Sequence, residues 1–442
     1  MQKGITDGWP KVLLSLNTTR RYRDREYDSA AMPAVRFWLV LVLLAAHVCR
    51  AGEVPNPLFW PSEAAFLTKV SDGEFDPHLE LHLLQYAADP RWQAEWAARR
   101  YAGSGLFGEY GSTTSSDLYV NSQIAVNLFP SRRFQVRYDR RDYQDGRFDV
   151  SDQRFDLMWY PASNWAVVVS GWPTHLKEEA SGGMGLRIGA PGSRNGLELT
   201  VVDERFIWNG KTKGEVEFSK APVRLLLDGY FESGPWRVYG SVDYGLEYEA
   251  VTPSAGEGRP ESSTRGFQRF GDLSVWYSFP RGAIGGRLTG ASLESSQDTE
   301  TTGICSLSRS WSRVVFFARK EMGRWSASGF AGYAWQRNTF SSPSVPSGSY
   351  RMDTPLLGVE GAYRLVKGLE LRLGYLSSAP TMERSVAAPG PLSDLKETSW
   401  VDKAHVRALY EFGPRMSIEL LLSQAVSGSS FGGGSVKALF VF

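Results

Sequence analysis

The chain has 442 residues, of which 42% are hydrophobic, 13% are aromatic and 45 are glycine. Its charge is balanced, with 49 Lys and Arg against 48 Asp and Glu, so the composition gives no case for nucleic-acid binding. No stretch after residue 52 approaches the roughly 20 consecutive apolar residues that a membrane helix needs, which argues against a helical membrane protein. High aromatic and glycine content instead suits strands that are apolar on one face only.

The one strongly apolar run lies near the start of the chain. Residues 37–46 are apolar, follow the basic residue Arg36 and lead to a small residue before a plausible cut, which predicts a secretory signal peptide at 32–51. Residues 1–31 form a polar, arginine-rich extension, and Met32 is an alternative start that would leave them untranslated. Cleavage would remove Cys49 and leave Cys305 alone, so we expect no internal disulfide and no thiolate metal site.

Residues 52–100 have helical composition and predict two or three short helices. Asp-Pro pairs at 76–77 and 89–90 are typical helix starts, with Asp as the cap and Pro in the first turn. His78 and His82 have the i, i+4 spacing that can hold a metal, but no third ligand accompanies them. A solvated helix face is therefore predicted rather than a metal site.

The rest of the chain is divided by eight tight turns that carry Gly or Pro and have aromatic or large apolar neighbours. The turns lie at 130–133, 161–164, 191–196, 233–235, 280–282, 323–324, 366–368 and 413–415. They alternate with polar loops such as 252–266, 340–353 and 379–400. A transmembrane β-barrel has tight turns at one rim, long loops at the other and aromatic belts at both interfaces. The pattern predicts an all-β fold, a transmembrane antiparallel barrel over residues 101–442.

Between these turns, apolar and polar residues alternate with the period of a strand. Trp236 to Ala250 is the longest example, with the charged residues all on one face. We expect the apolar face to meet lipid and the other face to line a lumen. The predicted lumen residues are Arg137, Asp139, Arg237, Asp243, Glu247, Glu249, Arg287, Glu370, Arg372, Lys403, His405, Arg407 and Glu411. Their mixed signs favour ladders that stiffen the wall, or a weakly selective pore, over a selective ring.

The last strand carries a more specific signal. Val436, Ala438, Phe440 and Phe442 share one face, and the chain ends on phenylalanine. This resembles the terminal strand of bacterial outer-membrane β-barrels, the porin-like class, over residues 100–442. Lys437 stands where that motif usually has a small residue. The resemblance implies a bacterial outer-membrane location, lipid and the barrel-insertion machinery as partners, and Phe440 and Phe442 as the insertion signal.

The turns also give a strand count. Eight turns join sixteen strands, 432–442 adds another, and bacterial single-chain barrels have even counts. One more strand must therefore precede residue 115, and Tyr101–Gly111 is the candidate. The sequence predicts about eighteen strands, with sixteen as the alternative because Pro222 interrupts the segment 214–232.

Two function classes fit such a barrel. The first is a porin-like channel for passive or gated passage of small solutes or an exported polymer. The second is a structural barrel that sheathes or anchors a partner, such as an electron carrier or a surface polymer, without conducting. Residues 52–100 would plug the lumen, bind a periplasmic partner or form a loosely ordered lead-in. No nucleophile accompanies His405 and no Cys-x-x-Cys-His occurs, so we expect neither an enzyme nor a cofactor.

Overall fold

The computed structural model describes residues 81, 84, 103–112, 118–145, 149–173, 179–208, 217–252, 262–299, 303–343, 347–386, 394–413, 415–428 and 430–442. Contacts divide the chain into residues 1–41 and residues 42–442, and every described residue belongs to the second unit. The predicted signal peptide lies outside the described residues, as does the segment 52–100 apart from Leu81 and Leu84. None of the helices in the described part of the chain is long and apolar enough to cross a membrane.

Strands account for almost all of the described residues, because aromatic and β-branched side chains alternate with polar ones along most of this part of the chain. The strands are β1 (Gly105–Ser112), β2 (Leu118–Ser131), β3 (Phe134–Asp145), β4 (Asp149–Ala162), β5 (Trp165–Pro173), β6 (Glu179–Ile188), β7 (Gly196–Trp208), β8 (Glu217–Lys220), β9 (Val223–Ser233), β10 (Trp236–Gly245), β11 (Tyr248–Thr252), β12 (Ser262–Phe279), β13 (Gly282–Thr299), β14 (Gly303–Met322), β15 (Trp325–Ser341), β16 (Gly348–Val366), β17 (Leu369–Ser378), β18 (Thr381–Val386), β19 (Asp394–Thr398), β20 (Val401–Glu411), β21 (Met416–Ala425) and β22 (Ser430–Val441).

Eighteen strands pair in one closed antiparallel cycle, which confirms the predicted count. The cycle runs β1 to β7, β9, β10, β12 to β17 and β20 to β22. It closes between the first and last strands, where Gly105 pairs with Val441 and Ser112 with Gly434. The strand predicted before residue 115 is β1, so the barrel begins within the expected segment.

The four remaining strands extend the barrel wall at one rim. β8 and β11 pair with each other, and β18 and β19 form a hairpin against β16. Proline separates two of them from the barrel strands they continue: Pro222 lies between β8 and β9, and Pro380 between β17 and β18. Proline cannot donate to the ladder, so the strand breaks there. The loop predicted at 379–400 is therefore largely a hairpin.

The eight predicted turns all lie at one rim. At the other rim the strands extend further than predicted, so residues 262–266 and 348–353 of the predicted loops belong to β12 and β16. Some connections there are therefore as short as the turns, because only 146–148 separate β3 from β4 and only 300–302 separate β13 from β14. Gly234, Gly323 and Gly368 have φ of 53°, 68° and 89°, which residues with a Cβ rarely adopt. Among the described residues Arg281 is the one non-glycine with positive φ, at 68°. Arg281 follows Pro280, so it is the second central residue of the turn. A type II turn requires positive φ at that position.

A bulge shifts the side-chain phase between β10 and β11. Tyr244 pairs with Arg269 on β12, whereas Tyr248 pairs with Gly266, so β10 and β11 contain one residue more than β12 over this stretch. One extra residue turns each following side chain to the opposite face. The prediction that Glu247 and Glu249 line the lumen is therefore wrong. Glu249 binds Arg265 on the outer face, and Glu247 binds Lys220 at an exposed position.

Candidate functional site

The two faces of the barrel differ in polarity. Outward residues of the middle strands are large, apolar and exposed, such as Phe316, Leu357 and Leu373, with exposures of 61%, 59% and 65%. Aromatic pairs lie towards the short-turn rim, with Trp236 against Tyr277 at a centroid distance of 4.9 Å. Inward residues include most of the buried charged side chains. A surface apolar outside and charged within matches a barrel in lipid.

The chain is a transmembrane β-barrel. Its inner face is the candidate functional site, because whatever the barrel conducts or holds must contact these residues. Among them are two charged clusters and one extended apolar wall, together with smaller groups such as the buried pair of Lys437 with Glu419.

The first charged cluster lies on β3, β4 and β7. Arg137 donates to Asp156 at 2.6 Å and to Glu198 at 2.8 Å, and Arg154 donates to the same two carboxylates at 2.7 and 2.8 Å. These side chains are almost completely buried. Nearby, Asp139 accepts a hydrogen bond from Gln123 at 2.8 Å. Two cations bridged by two anions form a network that ties β7 to the adjacent strands β3 and β4, across the intervening β5 and β6.

The second charged cluster lies on β16, β17 and β20 and is centred on Glu360. Its carboxylate is 3.0 Å from Nε2 of His405, 3.6 Å from Nη1 of Arg372 and 3.7 Å from Nε of Arg407. Arg372 also donates to Glu370 at 2.8 Å. The imidazole lies over Gly374, where a Cβ would approach its ring within 2.4 Å, so the glycine leaves the space that the ring occupies.

The other predicted lumen residues are spread along the inner face. Arg287 donates to Asp272 at 2.8 Å, Asp243 accepts from Arg224 at 3.0 Å, and Lys403 donates to the carbonyl of Gly432 at 2.9 Å. Two lie near the short-turn rim. Arg237 is half-buried beside Glu232 at 3.1 Å, and Glu411 is exposed at the end of β20.

Between the charged clusters, the inner face carries an apolar wall on β9, β10, β12, β14–β17 and β20. Its residues are Tyr230, Tyr239, Trp276, Val315, Phe317, Phe330, Ala334, Leu356, Leu376 and Val401. Glycines between these side chains let the rings lie flat on the wall. A Cβ at Gly285 would come within 2.5 Å of Phe317, and one at Gly358 within 2.5 Å of Leu376 and 2.9 Å of Phe330.

Two residues outside the barrel strands complete this wall. Leu81 and Leu84 are helical, are 0% exposed, and belong to the same hydrophobic cluster as the ten wall residues. Because all ten face inward, the two leucines lie inside the barrel. Their spacing of three residues places both on one helix face.

Sequence reasoning missed Glu360, Glu198 and the apolar wall. Glu360 lies in a stretch where consecutive residues such as Leu356 and Leu357 are apolar on both faces. Alternation therefore does not show which face of this stretch points into the lumen. The wall is hidden in the same way by Phe316-Phe317 and its neighbours. Side chains alternate between the two faces of a strand, so counting from charged residues further along the same strand could have identified these inward positions.

Within the described residues, no group of three or more His, Cys, Asp or Glu side chains could hold a metal ion. The hydrogen-bond partner of His405 is the Glu360 carboxylate, at 3.0 Å.

A search of solved structures finds outer-membrane barrels with similar folds. A loop-deletion mutant of OmpT, an outer membrane protein of Vibrio cholerae, is 11% identical and matches 77% of this chain and 97% of its own, with a TM-score of 0.35. A bacterial polysaccharide outer membrane secretin is 10% identical over 78% of this chain and 99% of its own, with a TM-score of 0.36. The outer membrane channel DcaP of Acinetobacter baumannii is 10% identical over 77% and 98%, with a TM-score of 0.31. No family model and no curated protein matches the sequence. Identities and TM-scores this low establish neither a family nor a function for the chain.

Proposed function

We propose that the protein is an outer-membrane channel whose resting state is closed by its own N-terminal segment, the part that carries Leu81 and Leu84. The observation that carries this proposal is the burial of both leucines on the apolar wall. In an open aqueous pore, each of these ten inward apolar side chains would face water, which is unfavourable. A wall of this kind needs an occupant, and the two leucines supply one.

The energy of this contact sets how often the channel opens. Burying a leucine side chain contributes about 1.5–3 kcal/mol, so the two together contribute about 3–6 kcal/mol. Since each 1.4 kcal/mol is a factor of ten, the closed state is favoured by about two to four orders of magnitude. A channel with this bias opens rarely by itself and opens readily when something withdraws the segment.

An eighteen-stranded barrel encloses a lumen wide enough for water once an occupant leaves. The inner face of the barrel then exposes interleaved charges of both signs rather than a ring of one sign. Such a lining supports passage of small polar solutes with weak charge selectivity. The rival function is a barrel that holds a partner and never conducts.

Single-channel conductance in planar bilayers tests the proposal. The full exported protein should be mostly silent, with rare openings. The variant Leu81→Asp/Leu84→Asp should open at least tenfold more often, because the buried carboxylates oppose docking on the apolar wall. The matched control Leu81→Met/Leu84→Met keeps apolar side chains of similar volume and should behave like the wild type.

Two outcomes would contradict the proposal. Steady conductance of the wild type would show that the segment does not close the lumen. Silence of all three proteins, with the heat-modifiable gel mobility of a folded barrel, would favour the non-conducting scaffold.

A further inference from the structure

The turns at the short-turn rim carry a ring of positive charge. The eight connections at this rim contain seven cationic side chains and no carboxylate. These cations occur in six of the eight connections, and all seven are exposed. The adjoining strand ends add Lys320 and Arg364 against Glu411 as exposed charged residues, so the rim as a whole is positively charged. We call the seven the cationic ring, and its members are Arg132, Arg133, Arg194, Arg281, Arg324, Lys367 and Arg415.

Ion pairs within the described residues do not compensate the charge of this ring. Leaving Arg194 aside, its members form no ion pair with a carboxylate in the part of the chain that the structure describes. At the opposite rim, exposed cations do pair with carboxylates. There Lys220 lies 3.1 Å from Glu247, and Arg265 lies 2.9 Å from Glu249. The ring therefore keeps a net charge of a kind that these paired cations do not have.

The ring surrounds the opening of the lumen. Trp165, Trp236 and Trp325 directly follow three of the connections and are exposed, so they mark the membrane interface and the connections lie beyond it. Eighteen strands spaced by about 4.8 Å and tilted by about 40° give a rim about 110 Å around, so every point of the opening lies within about 20 Å of the ring. At about 0.01 M salt the Debye length is about 30 Å, and at about 1 M it is about 3 Å. The field of the ring therefore covers the whole opening at low salt and is screened at high salt.

The lumen beyond this mouth has charges of both signs. Arg137 pairs with Asp156, and Arg287 pairs with Asp272, so the charges of the lining compensate one another. Discrimination between anions and cations therefore falls to the mouth. A docking site for a protein would need an apolar centre, whereas this charge recurs from connection to connection around the opening. The arrangement suits solutes that enter the lumen.

We propose that the cationic ring collects anionic solutes, those that carry carboxylate or phosphate groups, at this mouth of the barrel. The inference rests on the proposed channel function and names its substrate class. A mouth lined by one sign of charge raises the local concentration of oppositely charged solutes and their rate of entry. With the short-turn rim predicted to face the periplasm, these anions enter from the periplasmic side.

The reaction rates of a cysteine at the rim measure the local potential, whether or not the channel opens. In a background lacking Cys305, Ser163→Cys lies in a connection without a cation, and Gly428→Cys lies at the opposite rim. Each is modified in phosphatidylcholine nanodiscs by an anionic and by a cationic methanethiosulfonate, and the ratio of the two rates cancels differences in thiol reactivity. At low salt the anionic-to-cationic ratio should be about fivefold or more higher at Ser163→Cys than at Gly428→Cys. At high salt the two ratios should converge.

Neutralising the ring should remove this preference. The ring variant Arg132→Gln/Arg324→Gln/Lys367→Gln changes one cation in each of three connections, and it should lower the ratio at Ser163→Cys towards that at Gly428→Cys. Heat-modifiable gel mobility should show that the variant is folded. Equal ratios at the two cysteines with the ring intact would overturn the proposal.

The matched control Lys220→Gln/Arg265→Gln/Lys396→Gln removes the same number of charges at the opposite rim. It should leave the ratio at Ser163→Cys unchanged, and a loss equal to that of the ring variant would overturn the proposal, because net charge alone would explain it. Nanodiscs that contain phosphatidylglycerol test a lipid ligand. Loss of the preference in them would show that headgroups neutralise the ring, and this too would overturn the proposal.

Reversal potentials in a potassium chloride gradient then test the effect on passage. In the Leu81→Asp/Leu84→Asp background, the ring variant should lower the chloride-to-potassium permeability ratio at low salt by about twofold or more, and the control should not. An unchanged ratio would overturn the inference and leave the channel function intact. Absence of any conductance would contradict the proposed function instead, while the cysteine rates would still decide whether the ring collects anions.

Discussion

Replacing Glu360 with glutamine should destabilise the barrel far more than its small change in shape suggests. The carboxylate is 4% exposed and faces His405, Arg372 and Arg407 within 3.7 Å. Removing one partner from a buried ion pair costs about 3–5 kcal/mol, because the remaining charge is left uncompensated. Arg372 keeps Glu370 at 2.8 Å, so we expect a loss near the lower end, about 3 kcal/mol.

The matched control is Glu383→Gln in the β18–β19 hairpin. Glu383 also pairs with a cation, Lys396, but their side chains are 40% and 68% exposed. Water screens such a pair, so the substitution should leave stability unchanged within error. Guanidinium chloride unfolding in detergent, followed by tryptophan fluorescence and by heat-modifiable mobility, measures both variants.

Equal effects of the two substitutions would refute the reasoning. They would mean that water reaches Glu360, and hence that the lumen is open at this level. The experiment therefore tests whether water reaches the lumen at Glu360, independently of any conductance measurement.

Three further predictions follow from the faces, the last strand and the turns. Phe316→Arg, near the middle of the apolar band, should cost about 2–4 kcal/mol of unfolding free energy, and an unchanged value would show that this face does not meet lipid. Deleting Phe442 should lower the amount of protein in outer-membrane fractions while the folded remainder keeps its stability; normal membrane levels would show that the terminal aromatic is not an insertion signal. In a background lacking Cys305, a cysteine at Gly428 should react with an impermeant maleimide on intact cells, whereas one at Ser163 should react only after the outer membrane is opened; the reverse pattern would mean the opposite orientation.

Much of the barrel was predictable because its tight turns carry their own chemistry. Glycine at 234, 323 and 368 takes up positive φ, so these turns are marked in the sequence independently of any contact. Alternation then fixes the faces wherever one face is charged, as around Arg137 and Arg372. The lumen positions along these strands follow from those two signals, whereas the count of eighteen also required the rule that single-chain barrels have even strand numbers.

The sequence fails where both faces of a strand are apolar or where one residue is inserted. Phe316-Phe317 and Leu356-Leu357 present apolar side chains to lipid and lumen alike, so the apolar wall has no period to reveal it. The bulge near Gly245 reversed the phase for Glu247 and Glu249, because nothing in the local sequence fixes which strand carries the extra residue. Where Leu81 and Leu84 lie depends on a contact with that hidden wall.

Closure of the sheet between β1 and β22 has a consequence for how the protein is made. Gly105 must pair with Val441, and closing a chain loop of this length costs about 5 kcal/mol in entropy. No local pairing can substitute, so both edges of the sheet carry unsatisfied backbone groups until the last strand has been synthesised. During that interval the chain is an open sheet with two unpaired edge strands, each able to pair with a strand of another chain. A copy that stops one strand short would keep them and would be prone to pair with other chains instead of with itself.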